Sequence, residues 1–135
     1  MKTKLLLLIA IVFTAININA QVSLIGAGAT GDWGIDYDLT DADGDGIWTG
    51  TAVPMAGGEF KFRLDHAWTT AYGNGNGAAT WPSGIADTTP GLNNNIVAIA
   101  GVYDVSFNIA TGEFSFAGGT PIPVVKLVGL SLIHI

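Results

Sequence analysis

An all-β fold, a two-sheet immunoglobulin-like sandwich of about seven short antiparallel strands, is what this sequence predicts. Three observations lead there. Between Gln21 and Gly119, runs rich in β-branched and aromatic residues recur at close spacing. Gly, Asn, Asp and Pro separate them, and no stretch has the periodicity of an amphipathic helix. A small barrel fits the same pattern.

Val22-Ser23-Leu24-Ile25 reads as the first strand, Asp36 to Leu39 as a short second one, and Gly46 to Val53 as a third. Glu59 to Leu64 is the fourth: Phe60, Phe62 and Leu64 alternate with Glu59, Lys61 and Arg63, one face apolar and the other charged. That alternation puts Lys61 and Arg63 together on the wetter face. After a Gly- and Asn-rich loop, Asn95 to Ile99 and Val102 to Ile109 read as strands. In the latter Tyr103, Val105 and Phe107 alternate with Asp104, Ser106 and Asn108. Glu113 to Phe116 then closes a hairpin across Ala110-Thr111-Gly112. Gly118-Gly119-Thr120-Pro121-Ile122-Pro123 breaks the pattern and reads as linker, centred on residues 120–124.

The two ends stand apart from this domain. Lys2 and Lys4 precede an apolar run from Leu5 to Ile16, and Ile18-Asn19-Ala20 before Gln21 makes a cleavage site, so residues 1–20 read as a secretory signal peptide. The run is short for a bilayer span and ends in polar Asn17 and Asn19. At the other end, Val125-Lys126-Leu127-Val128-Gly129 repeats the form of Val22 to Gly26, as if a second copy of the domain began and stopped. The terminal Ser131 to Ile135 is expected to be an artefactual tail.

Charge and composition exclude several functions. From Gln21 onward three basic residues, Lys61, Arg63 and Lys126, face eleven acids, a formal charge of −8. Such a surface repels phosphate backbones and anionic membranes and suits a neutral ligand; nucleic acid is not an expected partner. The chain has no cysteine. Disulfides, thiolate metal sites, a thiol nucleophile and an acceptor for an N-terminal lipid are therefore absent together. The expectation is an exported monomer, at the cell surface or secreted, not lipid-anchored through this sequence.

Neutral sugars are held by stacking a pyranose face on an aromatic ring and by hydrogen bonds from Lys, Arg, Asn or carboxylate groups. Trp33 lies in Gly31-Asp32-Trp33-Gly34 and Trp81 in Thr80-Trp81-Pro82-Ser83-Gly84. Indoles on loops are not needed to fill a core, which makes both candidates for exposure; the alternative is that they cap the ends of the sandwich. Trp48 alternates on a strand and is expected to pack in the sheet. Trp68 follows Asp65-His66-Ala67 and could stack a sugar or anchor the next loop. Lys61 and Arg63 could orient hydroxyls, or simply solubilise a face and pair with Asp65 or Glu59.

Asp41-Ala42-Asp43-Gly44-Asp45-Gly46 has the alternating acids of a calcium loop, but Ala52 stands where the bidentate acid should be and a strand follows in place of a helix. An Asp-Gly hairpin turn accounts for Asp41, Asp43 and Asp45 without metal and is preferred, with a structural Ca²⁺ as the other reading. No cofactor is otherwise expected. Catalysis finds little support: His66 has no second imidazole outside the tail, the acids cluster in turns, and no nucleophile turn, phosphate loop or zinc spacing occurs.

The succession Val22 to Gly26, Gly31-Asp32-Trp33, Asp45-Gly46-Ile47-Trp48-Thr49-Gly50, Gly57-Gly58-Glu59-Phe60-Lys61-Phe62-Arg63, Trp68, Tyr72-Gly73, Asn94-Asn95-Ile96 and Ala100 to Val105 resembles the repeated domain of the SusE/SusF outer-membrane starch-binding proteins of Bacteroidetes-type bacteria. The resemblance spans nearly all of residues 21–119. It implies a non-catalytic β-sandwich that binds α-glucans such as maltooligosaccharides, arranged in tandem and serving an outer-membrane importer and an amylase. Carried onto this chain, the ligand-binding positions are Trp33, Lys61, Arg63, Trp68 and Tyr72; Trp81 joins them as a loop indole. SusE and SusF are lipoproteins, and here the chain departs from them for want of a cysteine. Two other readings remain: an ancillary domain of a larger secreted amylase or pullulanase, or a structural spacer without a sugar site.

Overall fold

The computed structural model describes residues 20–89 and 94–121. Residues 1–19 of the expected signal peptide, the second half of the expected linker, the expected partial repeat at 125–129 and the expected artefactual tail lie outside the described residues.

Nine strands form among the described residues: β1 (Val22–Gly26), β2 (Asp32–Asp38), β3 (Ile47–Met55), β4 (Gly58–Leu64), β5 (Ala71–Tyr72), β6 (Ser83–Ile85), β7 (Ile96–Ala98), β8 (Gly101–Asn108) and β9 (Glu113–Thr120). They make two antiparallel sheets, one ordered β2-β1-β4-β5 with β7 also pairing β4, the other ordered β3-β8-β9-β6. The chain is a β-sandwich, with nine strands where about seven were expected. The two extra ones, β5 and β6, span two and three residues, too few for a period of two to stand out of a Gly-rich loop.

Alternation governs each long strand. Phe60 and Phe62 of β4 are fully buried, as are Leu24 and Val22 of β1, which lie opposite Phe62 and Leu64. From the other sheet Tyr103, Val105 and Phe107 of β8 and Phe114 and Phe116 of β9 face them. Phe62 stacks on Phe107 across the interior at 4.3 Å between centroids, and Phe60 meets Phe116 edge-on at 5.5 Å. Each such ring removed from water contributes about 1.5–3 kcal/mol. Trp48 packs in this core, as its place on a strand predicts.

Two expected boundaries move. β2 begins at Asp32, four residues before the expected start at Asp36, so Trp33 stands on a strand and not on a loop. β9 runs to Thr120, with Gly118 paired to Tyr103 and Thr120 to Val102, so the first residues read as linker continue the ladder. In both places the backbone finds a partner strand where interspersed Gly and Asp break up the β signal of the side chains.

Candidate functional site

The first sheet has an outer face, and the register states what occupies it. Ser23 lies opposite Asp38 and Arg63, and Ile25 opposite Asp36 and Lys61. Side chains directly opposite share a face, so Asp36, Asp38, Ser23, Ile25, Lys61 and Arg63 all project away from the core. The co-facial placement expected for Lys61 and Arg63 is therefore correct.

The wetness expected of that face is not. Arg63 is only 6% exposed. Its guanidinium grips Asp36 with both arms: Nε donates to Oδ1 at 2.8 Å and the second nitrogen pairs with Oδ2. Ser23 Oγ donates to the same carboxylate at 2.5 Å. Asp36, not Glu59 or Asp65, is thus the partner of Arg63. The Arg63 hydrogen bonds hold the Asp36 carboxyl below its ordinary value, outweighing the desolvation that opposes them. Burial and the bidentate grip on Asp36 turn Arg63 into a support for the face above it and leave little of it open to a ligand hydroxyl.

What Arg63 does touch is Trp68. Its guanidinium carbon sits 4.6 Å from the centre of the indole, a cation–π contact. Beside Trp68 stands Trp33, with ring centroids 6.0 Å apart and planes tilted by 41°. Trp68 is 55% exposed and Trp33 36%. The two indoles form a bent aromatic surface open to solvent, carried on the layer Ser23–Asp36–Arg63. Trp33 reaches this position because β1 and β2 shift register between Ile25 and Gly26. Gly26 has φ +127, and a Cβ there would meet Glu59 O at 2.7 Å and Trp33 Cη2 at 2.9 Å. Only glycine lets the indole lie so close to the backbone.

The remaining candidates lie elsewhere. Lys61 shares the outer face, but its Nζ turns toward the neighbouring loop and donates to Asn94 O at 3.1 Å. Desolvation lowers its pKa from the ordinary lysine value, with Asp87 opposing. Tyr72 lies opposite Phe62 and meets Phe107 edge-on at 5.1 Å, so it lines the interior and does not join the aromatic surface. Trp81 is likewise turned inward, against Phe116 at 4.6 Å and Tyr103 at 5.0 Å. Pairing of β6 with β9 folds the Trp81 loop back over the end of the sandwich, which is the capping alternative weighed for loop indoles.

Asp36, Ser23, Asp38 and His66 belong to the site and were not expected there. Asp36 and Asp38 carried a legible signal: two acids at alternate positions of one strand belong on one face, which could have been matched with Lys61 and Arg63. His66 completes the rim, its Nε2 2.6 Å from Asp38 Oδ1.

The Asp41, Asp43 and Asp45 carboxylates each place an oxygen within 4.8 Å of the others. They are also occupied as turn acceptors. Asp41 takes the N–H groups of Gly44 and Gly46 at 3.0 Å, and Asp45 takes that of Ile47 at 2.8 Å. This is the hydrogen bonding of a hairpin turn, and oxygen ligands of this kind also suit Ca²⁺. The loop flanks a shallow hollow of about 420 Å³ lined by Gln21, Leu39, Thr40, Asp41 and Trp48; another, about 440 Å³, lies on the outer face of the second sheet between Ile47 and Ile85. Trp48 and Phe114, the aromatics lining them, are buried, so neither hollow offers a stacking surface.

Comparison of the chain with protein-family models, with curated proteins and with solved structures finds no match.

Proposed function

We propose that this chain is an exported, non-catalytic module that binds α-glucans of the maltooligosaccharide type, with Trp33 and Trp68 as its stacking platform. The observation that carries the proposal is the exposed, bent pair of indoles on the outer face of the first sheet, held from beneath by Arg63. Indoles are costly to leave in water, and a tilted pair complements a curved oligosaccharide better than a flat one. The surrounding Asp38 and His66 supply polar atoms at the rim. The Arg63 hydrogen bonds hold the Asp36 carboxyl beneath the platform below its ordinary value, the opposite of what a general acid needs, which supports binding over hydrolysis.

The resemblance to the SusE/SusF starch-binding domains supports the same ligand class and, with it, the partnership with an outer-membrane importer and an amylase. Of the positions taken from that resemblance, this reading retains Trp33 and Trp68 as contacts, makes Arg63 their support, and assigns Tyr72 to the core, along with Trp81.

Isothermal titration calorimetry of the full chain against maltoheptaose and a cyclodextrin tests the proposal. Saturable heat is expected, abolished by Trp68→Ala and sharply weakened by Trp33→Ala while circular dichroism reports an intact sheet. The absence of heat at millimolar ligand would overturn it.

A further inference from the structure

The platform is assembled from two separate elements. Trp33 comes from edge strand β2, and Trp68 from the turn that follows β4. That turn is unusual: Ala67 N–H donates to Leu64 O at 3.0 Å, and the two residues inside, Asp65 and His66, both have left-handed backbones with φ of 54 and 53. Paired left-handed residues are the geometry of a type I′ turn, for which Asn-Gly is the favoured sequence and Asp-His is not. External contacts hold it. Asp65 N–H donates to Gln21 O at 2.8 Å, Gln21 N–H returns to Asp65 Oδ1 at 2.9 Å, and the His66 imidazole lies on Asp38.

The last of these contacts ties the turn to β2, the strand that carries Trp33. The Arg63–Asp36 pair makes a second tie beneath the indoles, leaving His66–Asp38 as the solvent-side one. We propose that Asp38 and His66 are positioning residues for the platform, holding Trp68 against Trp33 most firmly while the imidazole is protonated and less firmly as the proton is lost.

The groups facing His66 are Asp38 and Asp36 from β2 and Arg63 from β4, with Asp65 beside it in the turn, already engaged with Gln21. The hydrogen bond to Asp38 raises the imidazole above its ordinary value; desolvation opposes this, the charges of Asp38 and Asp36 add to it, and Arg63 opposes. A raised pKa means that the ion pair is complete below the ordinary histidine value and is lost as pH rises through the higher folded one. A neutral imidazole keeps a weaker hydrogen bond to the carboxylate, so the tie loosens without vanishing.

Two coupled indoles give an exciton couplet in far-ultraviolet circular dichroism, which reports their geometry without any ligand. The full chain is followed from about pH 5 to 8, the range over which histidine changes charge, beside Trp33→Ala, Asp38→Asn and His66→Gly variants. Glycine at position 66 suits the left-handed backbone, so this change removes the imidazole without endangering the turn. The couplet of the parent chain should fall with one midpoint above the ordinary histidine value. His66→Gly and Asp38→Asn should hold it at or below the reduced alkaline level throughout, with no midpoint, and Trp33→Ala should abolish it. A His66→Gly chain that keeps the full couplet, or an unchanged pH profile, would overturn the proposal. The effect on ligand rests on the glucan reading: affinity for maltoheptaose should fall several-fold across the same midpoint, and not in His66→Gly. A couplet that titrates in a chain that binds no glucan upholds the positioning role and removes only the glucan.

Discussion

Two groups of aromatic residues divide this molecule. In the interior, Phe60, Phe62, Phe107, Phe114, Phe116, Tyr103 and Trp81 interlock between the sheets; outside, Trp33 and Trp68 lean together over an ion pair. Both sets belong to one small domain and meet at similar distances. What differs is the layer behind the rings. The interior rings pack mainly on one another and on aliphatic side chains, so each adds to stability in proportion to the area it buries. The outer pair has a committed guanidinium on one side and water on the other. Its free energy remains available to a ligand, because the fold has not used it.

The difference can be tested by substitution, and the largest effect should come from the interior. Phe62→Ala should destabilise the fold by about 3–5 kcal/mol in chemical denaturation, since Phe62 is fully buried and stacked on Phe107. Trp81→Ala should cost about 3 kcal/mol, with glucan heats unchanged in whatever fraction remains folded. A Trp81 variant that kept its stability and lost binding would erase the distinction between the two groups.

Arg63 sits at the boundary and should show both effects. Arg63→Met strands the Asp36 carboxylate, an expected loss of about 3 kcal/mol, while adding Asp36→Leu should recover most of it. Binding should stay weak in the double variant, because the cation beneath Trp68 is gone. Trp68→Ala should cost only about 1 kcal/mol of stability, from its lost cation–π contact with Arg63, and remove glucan binding altogether, the inverse of the Trp81 result.

The smallest expected effect is that of pH on stability. Asp36, held below its ordinary value, contributes stability that is present above the unfolded carboxyl value and lost as pH falls through the folded one. His66 contributes in the opposite direction, fully below the unfolded imidazole value and decreasingly as pH rises through its raised folded value. Its ion pair is solvent-exposed, so the contribution is slight. Denaturation midpoints against pH should therefore drop steeply on the acid side and gently above neutrality. Asp36→Asn should flatten the first slope and His66→Gly the second.

Much of the architecture was legible in the residues. The alternation of Phe60, Phe62 and Leu64 with Glu59, Lys61 and Arg63 gave β4 both of its faces, and that of Tyr103, Val105 and Phe107 did the same for β8. Less of the site could be read. Trp33 and Trp81 have the same local appearance, an indole among Gly, Asp, Ser and Pro, yet one is exposed on an edge strand and the other packed on Phe116. No local rule separates them, because the decision belongs to which distant strand pairs with the backbone beside each: Gly26 of β1 opposite Asp32, and Ser115 of β9 opposite Ser83.

The sequence by itself therefore determined the longer strands, the inward faces, the acidic and cysteine-free character of the chain, and the placing of Lys61 and Arg63 on one surface. These depend on side-chain period and composition, which are properties of neighbours along the chain. Only the tertiary structure decided that Arg63 would be spent on Asp36 and Trp68, that Lys61 would turn to Asn94, and that Trp33 and Trp68 would meet in solvent while Tyr72 and Trp81 would not. Those outcomes follow from strand register and from a left-handed turn. Register is fixed by the summed packing of a whole sheet, and with that turn it determines which charges and rings come within reach of one another.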